Sequence, residues 1–335
     1  MDLENGTSTD KIARTRAYRD GELVSEDFPV ATLSDHLADE RTAVWVDLCA
    51  PDTVDLKTVA EELGLHELAV EDAIERSQRP KLDHYRTHDF MSMYAVWLDK
   101  ESGELDTSEL AVFLTPRALV TVRKDARFDV QKVVDRWDAS SADLTRHHVG
   151  FLLYGLIDFV VDGHFETVQE LDEEIEKLED LLFSERSKDT DVQRRSFELR
   201  KSLVQLRKLV LPMREVVNTL MRRDVRAIAH EMIPYFQDVY DHVLRATEWT
   251  ESLRDLVTTI LETNLTIQGN RLNVITKQVT SWAAIIAVPT AITGFYGQNI
   301  PFPGFGHFHG FIVSTALIVV ASVTLWFVFR RKGWL

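Results

Sequence analysis

Residues 278 to 329 form a run of 52 positions without an aspartate, glutamate, lysine or arginine. No other feature narrows the folding options of the chain as much. Within the run, 279–296 and 310–329 are apolar and long enough for bilayer-spanning helices, which need about 20 such residues. Between them, GQNIPFPGFGHFHG is too rich in glycine and proline for continuous helix and reads as a tight loop joining two antiparallel spans. A soluble protein can bury one apolar hairpin as core, but two spans in series, closed by Arg330, Arg331 and Lys332, favour a membrane. Arg271 and Lys277 precede the first span and RRKGWL follows the second, so both flanks are expected on the cytoplasmic side. Trp282, Trp326 and Trp334 fall toward span ends, where amphipathic rings are favoured. The start, MDLENGTSTDKIART, has no apolar signal-peptide core, so the part before the spans is expected in the cytosol. A single cysteine, Cys49, suits that compartment. The expected protein is multi-pass in the cell membrane, with cytoplasmic termini and the lipid bilayer as a partner.

All 54 acidic residues precede position 278, against 35 of the 38 bases, which leaves that part with a formal charge of −19. Such a balance argues against nucleic acid, which wants a basic face, and against an anionic lipid surface as main partner. Solubility and attraction of cations both remain as readings of the charge. Strand-like stretches at 43–50, 89–98 and 109–124 alternate with the helical pieces VDLKTVAEELGL and ELAVEDAIER, which predicts an α/β domain over 1–145. No glycine-rich phosphate loop follows any of these strands. HELAVED resembles the zinc-protease helix motif only until Val70, which stands where a second histidine is required. With no nucleophile elbow either, an enzyme is not expected.

From His147 onward the strand signals stop. Phe165, Val168, Leu171, Ile175, Leu178 and Leu182 recur at steps of three and four, as do Val192, Ser196, Leu199, Leu203, Leu206, Val210 and Met213. These are heptad-like seams on two long helices, joined at the polar stretch SERSKDTD. A third helix, opening near Pro234, is expected to run unbroken over 233–296, roughly 95 Å at 1.5 Å per residue. Cytosolic helices and stalk then occupy 146–277, the first transmembrane helix 278–297, an extracytoplasmic loop 298–309, the second transmembrane helix 310–329 and a basic tail 330–335. The fold class is an α+β membrane protein.

One stripe of the third helix is small or neutral and polar: Thr259, Thr263, Thr266, Asn270, Asn273, Thr276, Thr280, Ala283, Ala287, Thr290 and Gly294. Every step is three or four residues, so these side chains share a face. Close helix packing explains alanine and glycine on such a face. A water-filled lumen explains the amides and hydroxyls as well. Spacing alone leaves both open.

At the outer end of the stripe stand Tyr296, Gly297, Gln298 and Asn299. Tyr-Gly-x-Asn, a short loop, a second span and a basic tail ending in Trp-Leu resemble the CorA family of divalent-cation channels, whose signature here is Tyr-Gly-Met-Asn. LAVEDAIERSQRPKLDHY, LLYGLIDFVVDGHF, LRKSLVQLRKLVLPMREVVNTL and PYFQDVYDHVLRATEWTESLRDLV are similar to family segments in family order, from about residue 18 to the end.

The resemblance implies a funnel-shaped homopentamer around a pore, with Mg²⁺ as transported and regulatory ion, Co²⁺ and Ni²⁺ as further cargo, and no organic cofactor. It implies that Gly297 and Asn299 belong to the selectivity region, and that Asn273, Thr276, Ala283, Ala287 and Thr290 line the pore. Asp72 and Asp238 match regulatory acids between neighbouring subunits, with Asp158 and Asp162 as further candidates. Two departures stand out. Gln298 replaces the methionine, and the loop carries His307 and His309 where an acid is common; histidine prefers Zn²⁺, Ni²⁺ and Co²⁺ to Mg²⁺. A zinc transporter of the same superfamily, or a non-conducting oligomeric sensor anchored in the membrane, are the alternatives.

Overall fold

In a computed structural model of the chain, described for residues 13–75, 79–100, 102–139, 141–184, 189–222, 225, 227–298, 301 and 304–335, the first unit is Met1–Ile260 and the second Leu261–Leu335. In the first unit, β1 (Ala13–Arg19), β2 (Glu22–Glu26), β3 (Thr42–Cys49), β4 (Lys81–His84), β5 (Asp89–Leu98), β6 (Leu105–Leu114) and β7 (Ala118–Arg123) form one mixed sheet. The strand order is β2-β1-β3-β7-β6-β5-β4; β3 and β7 run parallel and every other pair antiparallel. Short helices α1 (Leu33–His36), α2 (Thr53–Leu63) and α3 (Glu67–Ile74) follow the early strands, and α4 (Val130–Ala139) follows the last.

Both faces of the sheet are buried, which gives its central strands apolar runs instead of alternation. On β3, Ala43 and Trp45 join the core shared with the long helices, while Val44, Val46 and Leu48 join the core under the short helices. The expected strand 109–124 resolves into β6 and β7 for the same reason. The tight turn between them is closed by Thr115, whose hydroxyl accepts from the Ala118 amide at 2.8 Å. On the helix side lies a charge, Asp47, fully buried against Arg123, whose Nη2 stands 2.6 Å away. The Thr121 hydroxyl donates to the same carboxylate at 2.7 Å, and Arg123 Nη1 donates to the Phe128 carbonyl at 3.1 Å. A buried pair with its hydrogen bonds made is tolerated; losing one partner strands the other.

Three long helices follow: α5 (Ser141–Phe183), α6 (Asp189–Leu220) and α7 (Ile233–Tyr296). A left-handed residue, His148 at φ +49°, breaks α5 into two helical pieces. Val168, Leu171, Ile175 and Leu178 of α5 and Val192, Leu199, Leu203, Leu206, Val210 and Met213 of α6 are all buried in one core, as the heptad spacing predicts. Helix α7 has the expected bounds and 64 residues.

The second unit holds the end of α7 and α8 (Phe308–Arg331). Both helices contain stretches apolar and long enough to cross a membrane, of which 6% and 0% of residues are buried. A core helix of a soluble protein would bury most of such a stretch. Helix α8 starts two residues before the expected 310, with His307 at the N-cap position and no side-chain cap bond.

Two histidines of the first unit contribute to its response to acid. His164 of α5 is fully buried; its Nε2–H donates to the Tyr94 carbonyl at 2.7 Å, and Nδ1 has no partner among the described residues. Burial pushes its pKa down to about 4. His88, beside β5, is likewise pushed down to about 4, first by burial and then by the charge of His66. In the unfolded chain both titrate near 6.5. The stability they contribute is complete above that value and is lost as pH falls from 6.5 toward 4, because the unfolded chain takes up protons first. For His164 the full effect is about 3 kcal/mol. We expect the thermal midpoint, followed by circular dichroism, to drop between pH 7 and pH 4, and His164→Gln to drop distinctly less. An equal drop in both proteins would show that His164 carries none of the acid sensitivity.

Candidate functional site

The stripe along α7 is open. Asn270, Asn273, Thr276, Thr280, Ala283, Ala287, Thr290 and Gly294 are exposed, whereas Ser281, Ala284, Ile285 and Val288 on the other side are buried or half-buried. Several hydroxyls on the stripe are already committed as donors. Thr290 donates to the Ile286 carbonyl at 2.9 Å, Thr266 to Glu262 at 2.9 Å and Thr259 to Asp255 at 3.0 Å. A hydroxyl carries one proton and two lone pairs. With the proton spent inside the helix, each of these oxygens offers only acceptor capacity outward. Water bound to a cation has its lone pair on the metal and turns its protons away from it. An acceptor-rich, uncharged face therefore suits a hydrated cation better than it suits a bare one.

Helix α7 ends where the signature begins. The Gly297 amide donates to the Thr293 carbonyl at 2.8 Å, and the Gln298 amide to Phe295 at 3.3 Å. A Cβ built on Gly297 would stand 3.0 Å from the Thr293 carbonyl oxygen, tighter than side chains ordinarily tolerate, so glycine fits this last turn. Tyr296 is half-buried, with its ring edge-on to Phe295 at 5.6 Å. Gly297 and Gln298 are exposed; Asn299 lies outside the described residues. His307 and His309 are exposed at the start of α8. His307 Nδ1 is 3.0 Å from the Phe305 carbonyl, which can only accept, so Nδ1 holds the proton and the Nε2 lone pair is left for a ligand.

A second constellation lies in the first unit. Asp158 and Asp162 of α5 and His242 of α7 bring one ligand atom each within 4.8 Å of one another, the one such group among the described residues. Arg136 of α4 holds it together now, with Nη1 3.2 Å from Asp158 and Nη2 3.0 Å from Asp162; His242 Nδ1 is 4.0 Å from Asp162. Burial pushes the Asp158 carboxyl above the usual carboxylate range. Asp162 adds to the rise, Arg136 and His242 oppose it, and Asp238 raises it further. Asp238 also acts on Tyr154, whose phenol is pushed up to about 12, chiefly by burial and next by Asp158. Three of the four expected regulatory acids thus share one neighbourhood within a single chain. Asp72 does not belong to it. Its carboxylate on α3 meets Lys81 Nζ at 2.6 Å, and the same ammonium meets Asp83 at 2.7 Å.

His242 was not among the residues expected from the sequence. Its local signal is the four-residue step from Asp238, the spacing that stacks side chains on one helix face, and Asp158 and Asp162 share it. What no spacing reveals is that α5 and α7 pack so as to bring the two pairs together.

The family model described as CorA-like Mg2+ transporter protein matches residues 40–331, most of the chain. The chain belongs to the CorA family. It is 31% identical over 299 residues to the cobalt/magnesium transport protein CorA of Thermotoga maritima, covering 89% of this chain and 85% of that one. The full-length CorA magnesium transporter of Methanocaldococcus jannaschii superposes with a TM-score of 0.76 at 23% identity, over 97% of this chain and 99% of that one. The zinc transport protein ZntB of Yersinia pseudotuberculosis is 22% identical over 270 residues, covering 77% of this chain and 78% of its own length. The CorA fold accounts for the mixed sheet, the long helices and the paired apolar helices at the end.

Proposed function

We propose that this CorA-family protein is a homopentameric channel that carries hydrated Mg²⁺ into the cell, with Co²⁺ and Ni²⁺ as further cargo. Five copies of α7 would line the pore, with both termini in the cytoplasm. The observation that carries this reading is the exposed, uncharged, acceptor-rich stripe on α7. Mg²⁺ gives up water reluctantly and demands octahedral oxygen geometry. Lone pairs of Thr290 and the neighbouring amides suit the protons of its water shell, so passage need not strip the ion. Gly297, Gln298 and Asn299 would form the mouth, where a ring of amide oxygens holds the ion more loosely than carboxylates would, leaving release easy.

Regulation follows from the acids. Asp72, held by Lys81 within its own chain, and Asp238 would meet across subunits, with Asp158 and Asp162 nearby. A divalent cation between them would offset their repulsion and hold the closed form, because a ligand shifts an equilibrium by its differential affinity. One observation favours zinc as a second reading: a neutral His307 keeps its Nε2 lone pair open, two residues before His309, and ZntB is among the relatives. A non-conducting sensor has no comparable support.

The reading is tested in liposomes loaded with a Mg²⁺-sensitive dye, with Zn²⁺ and Ni²⁺ as competitors. Uptake of Mg²⁺ is expected, and Asn299→Ala should abolish it while the oligomer still assembles. Parental uptake by that variant would remove Asn299 from the filter, and an absence of flux in the parent would favour the sensor. Regulation is tested separately. Asp72→Asn combined with Asp238→Asn should keep conducting at internal Mg²⁺ concentrations of order millimolar, as expected for a sensor of few carboxylates, where the parent shuts. Closure of the double variant at the parental concentration would clear this pair of the sensing role.

A further inference from the structure

A cavity of about 730 Å³ lies in the first unit between the start of β4 and the helices α6 and α7. Its volume falls within the range of small-molecule sites, roughly 300–1,000 Å³. Three cations line it, Arg79, Lys81 and Arg214, with Glu215 the one carboxylate among its described lining residues. A second cavity of about 570 Å³ shares the wall Arg79, Pro80, Leu211 and Pro212 and adds Arg207 and Lys208. In a chain with 54 acids and 38 bases, five bases against one acid is the reverse of the overall balance. The two cavities meet at Pro212, inside α6, where the missing N–H leaves the Lys208 carbonyl without its helical donor.

The lining cations differ in how far they are already neutralised. Lys81 is shared between Asp72 and Asp83, and Arg207 pairs with Glu251 at 3.1 Å. Among the described residues Arg214 makes one hydrogen bond, from Nε to the Tyr240 hydroxyl at 3.0 Å; Glu248 and Glu215 act on it only at longer range, so its terminal nitrogens remain for a ligand. Arg79 and Lys208 are exposed and have no hydrogen bond or ion pair among the described residues. A positioned guanidinium with both terminal nitrogens open matches the fork geometry of phosphate oxygens. Leu82, Leu211 and the Tyr240 ring supply apolar wall beside the charges.

From this arrangement we infer that the cavity is a binding site for a soluble organic polyphosphate of the nucleoside-triphosphate class. Arg79 and Arg214 grip the phosphates, Lys81 adds weaker attraction, and the base rests against the apolar wall. Neither Asp158 nor Asp162 lines the cavity, whereas Lys81 is shared with Asp72.

Titration calorimetry on the full-length protein in an uncharged detergent, with EDTA present to remove free divalent ions, tests this. The probes are ATP, adenosine, inorganic phosphate and mixed micelles containing phosphatidylglycerol. Saturable ATP binding is expected, tighter than adenosine or inorganic phosphate alone. Arg79→Gln and Arg214→Gln should each weaken it about tenfold, the size of one lost charge-assisted contact. Arg194→Gln, on an exposed arginine of α6 outside the cavity, should leave it unchanged. Arg214→Gln also removes the bond to Tyr240, so Arg79→Gln, which has no partner among the described residues, carries the test if the former misfolds. Absence of saturable ATP binding, unchanged affinity in Arg79→Gln, adenosine binding as tightly as ATP, or preference for the phosphatidylglycerol micelles would each overturn the inference.

Discussion

A hydroxyl on an otherwise apolar helix has two places to send its proton, and in α7 it sends it inward. Thr290 donates to Ile286, and Thr266 and Thr259 donate one turn back in the same way. Hydrocarbon would leave the remaining lone pairs without donors, although each hydroxyl keeps its one bond. Water satisfies them, and so does the water shell of a cation. The charge-free stretch from 278 to 329 permits membrane insertion, and within it the stripe continues as the exposed Thr280, Ala283, Ala287, Thr290 and Gly294. A dry seam of small residues and the proposed lumen are both compatible with that stretch; the lumen also gives the Thr290 lone pairs a donor.

Acidity elsewhere in the chain is managed by specific cations. Arg123 neutralises Asp47 inside the sheet domain, Lys81 neutralises Asp72, and Arg136 bridges Asp158 and Asp162. The first pair is buried and structural. The other two are partly exposed, and under the proposed regulation a divalent ion would compete there with the side-chain cation. Such competition gives a graded response. A carboxylate held by lysine or arginine yields to Mg²⁺ only when the ion is plentiful, which suits a sensor that should ignore traces.

Much of this was legible in the residues themselves. The seams on α5 and α6 were readable because burial of one helical stripe imposes steps of three and four, and α7 because its small, polar stripe keeps such steps past Gly269 and Pro289 as far as Gly294. Strands β1, β2 and β4 were not found; β2 and β4 are mostly exposed or half-buried, and β1 reads ARTRAYR, whose interspersed arginines hide its buried positions. Strands β6 and β7 merged into one run because both their faces are covered, which removes the alternation that marks a boundary. At the acidic site, Asp158, Asp162 and Asp238 came from family likeness. His242, Arg136 and the Lys81 partner of Asp72 depend on packing between elements distant in sequence, and no local pattern encodes that.

The claim that the α7 stripe faces water is tested most directly by cysteine accessibility. The only native cysteine, Cys49, is buried, and burial pushes its thiol pKa up, so background labelling is low. Single substitutions Ala283→Cys, Ala287→Cys and Thr290→Cys on the stripe, against Ala284→Cys and Val288→Cys on the other side, would be exposed to a charged, membrane-impermeant thiosulfonate while Mg²⁺ flux is followed. A lumen predicts rapid modification and block at the three stripe positions, with little effect at the other two. Modification confined to Ala284→Cys and Val288→Cys, or stripe cysteines that stay unreactive in a conducting protein, would contradict it.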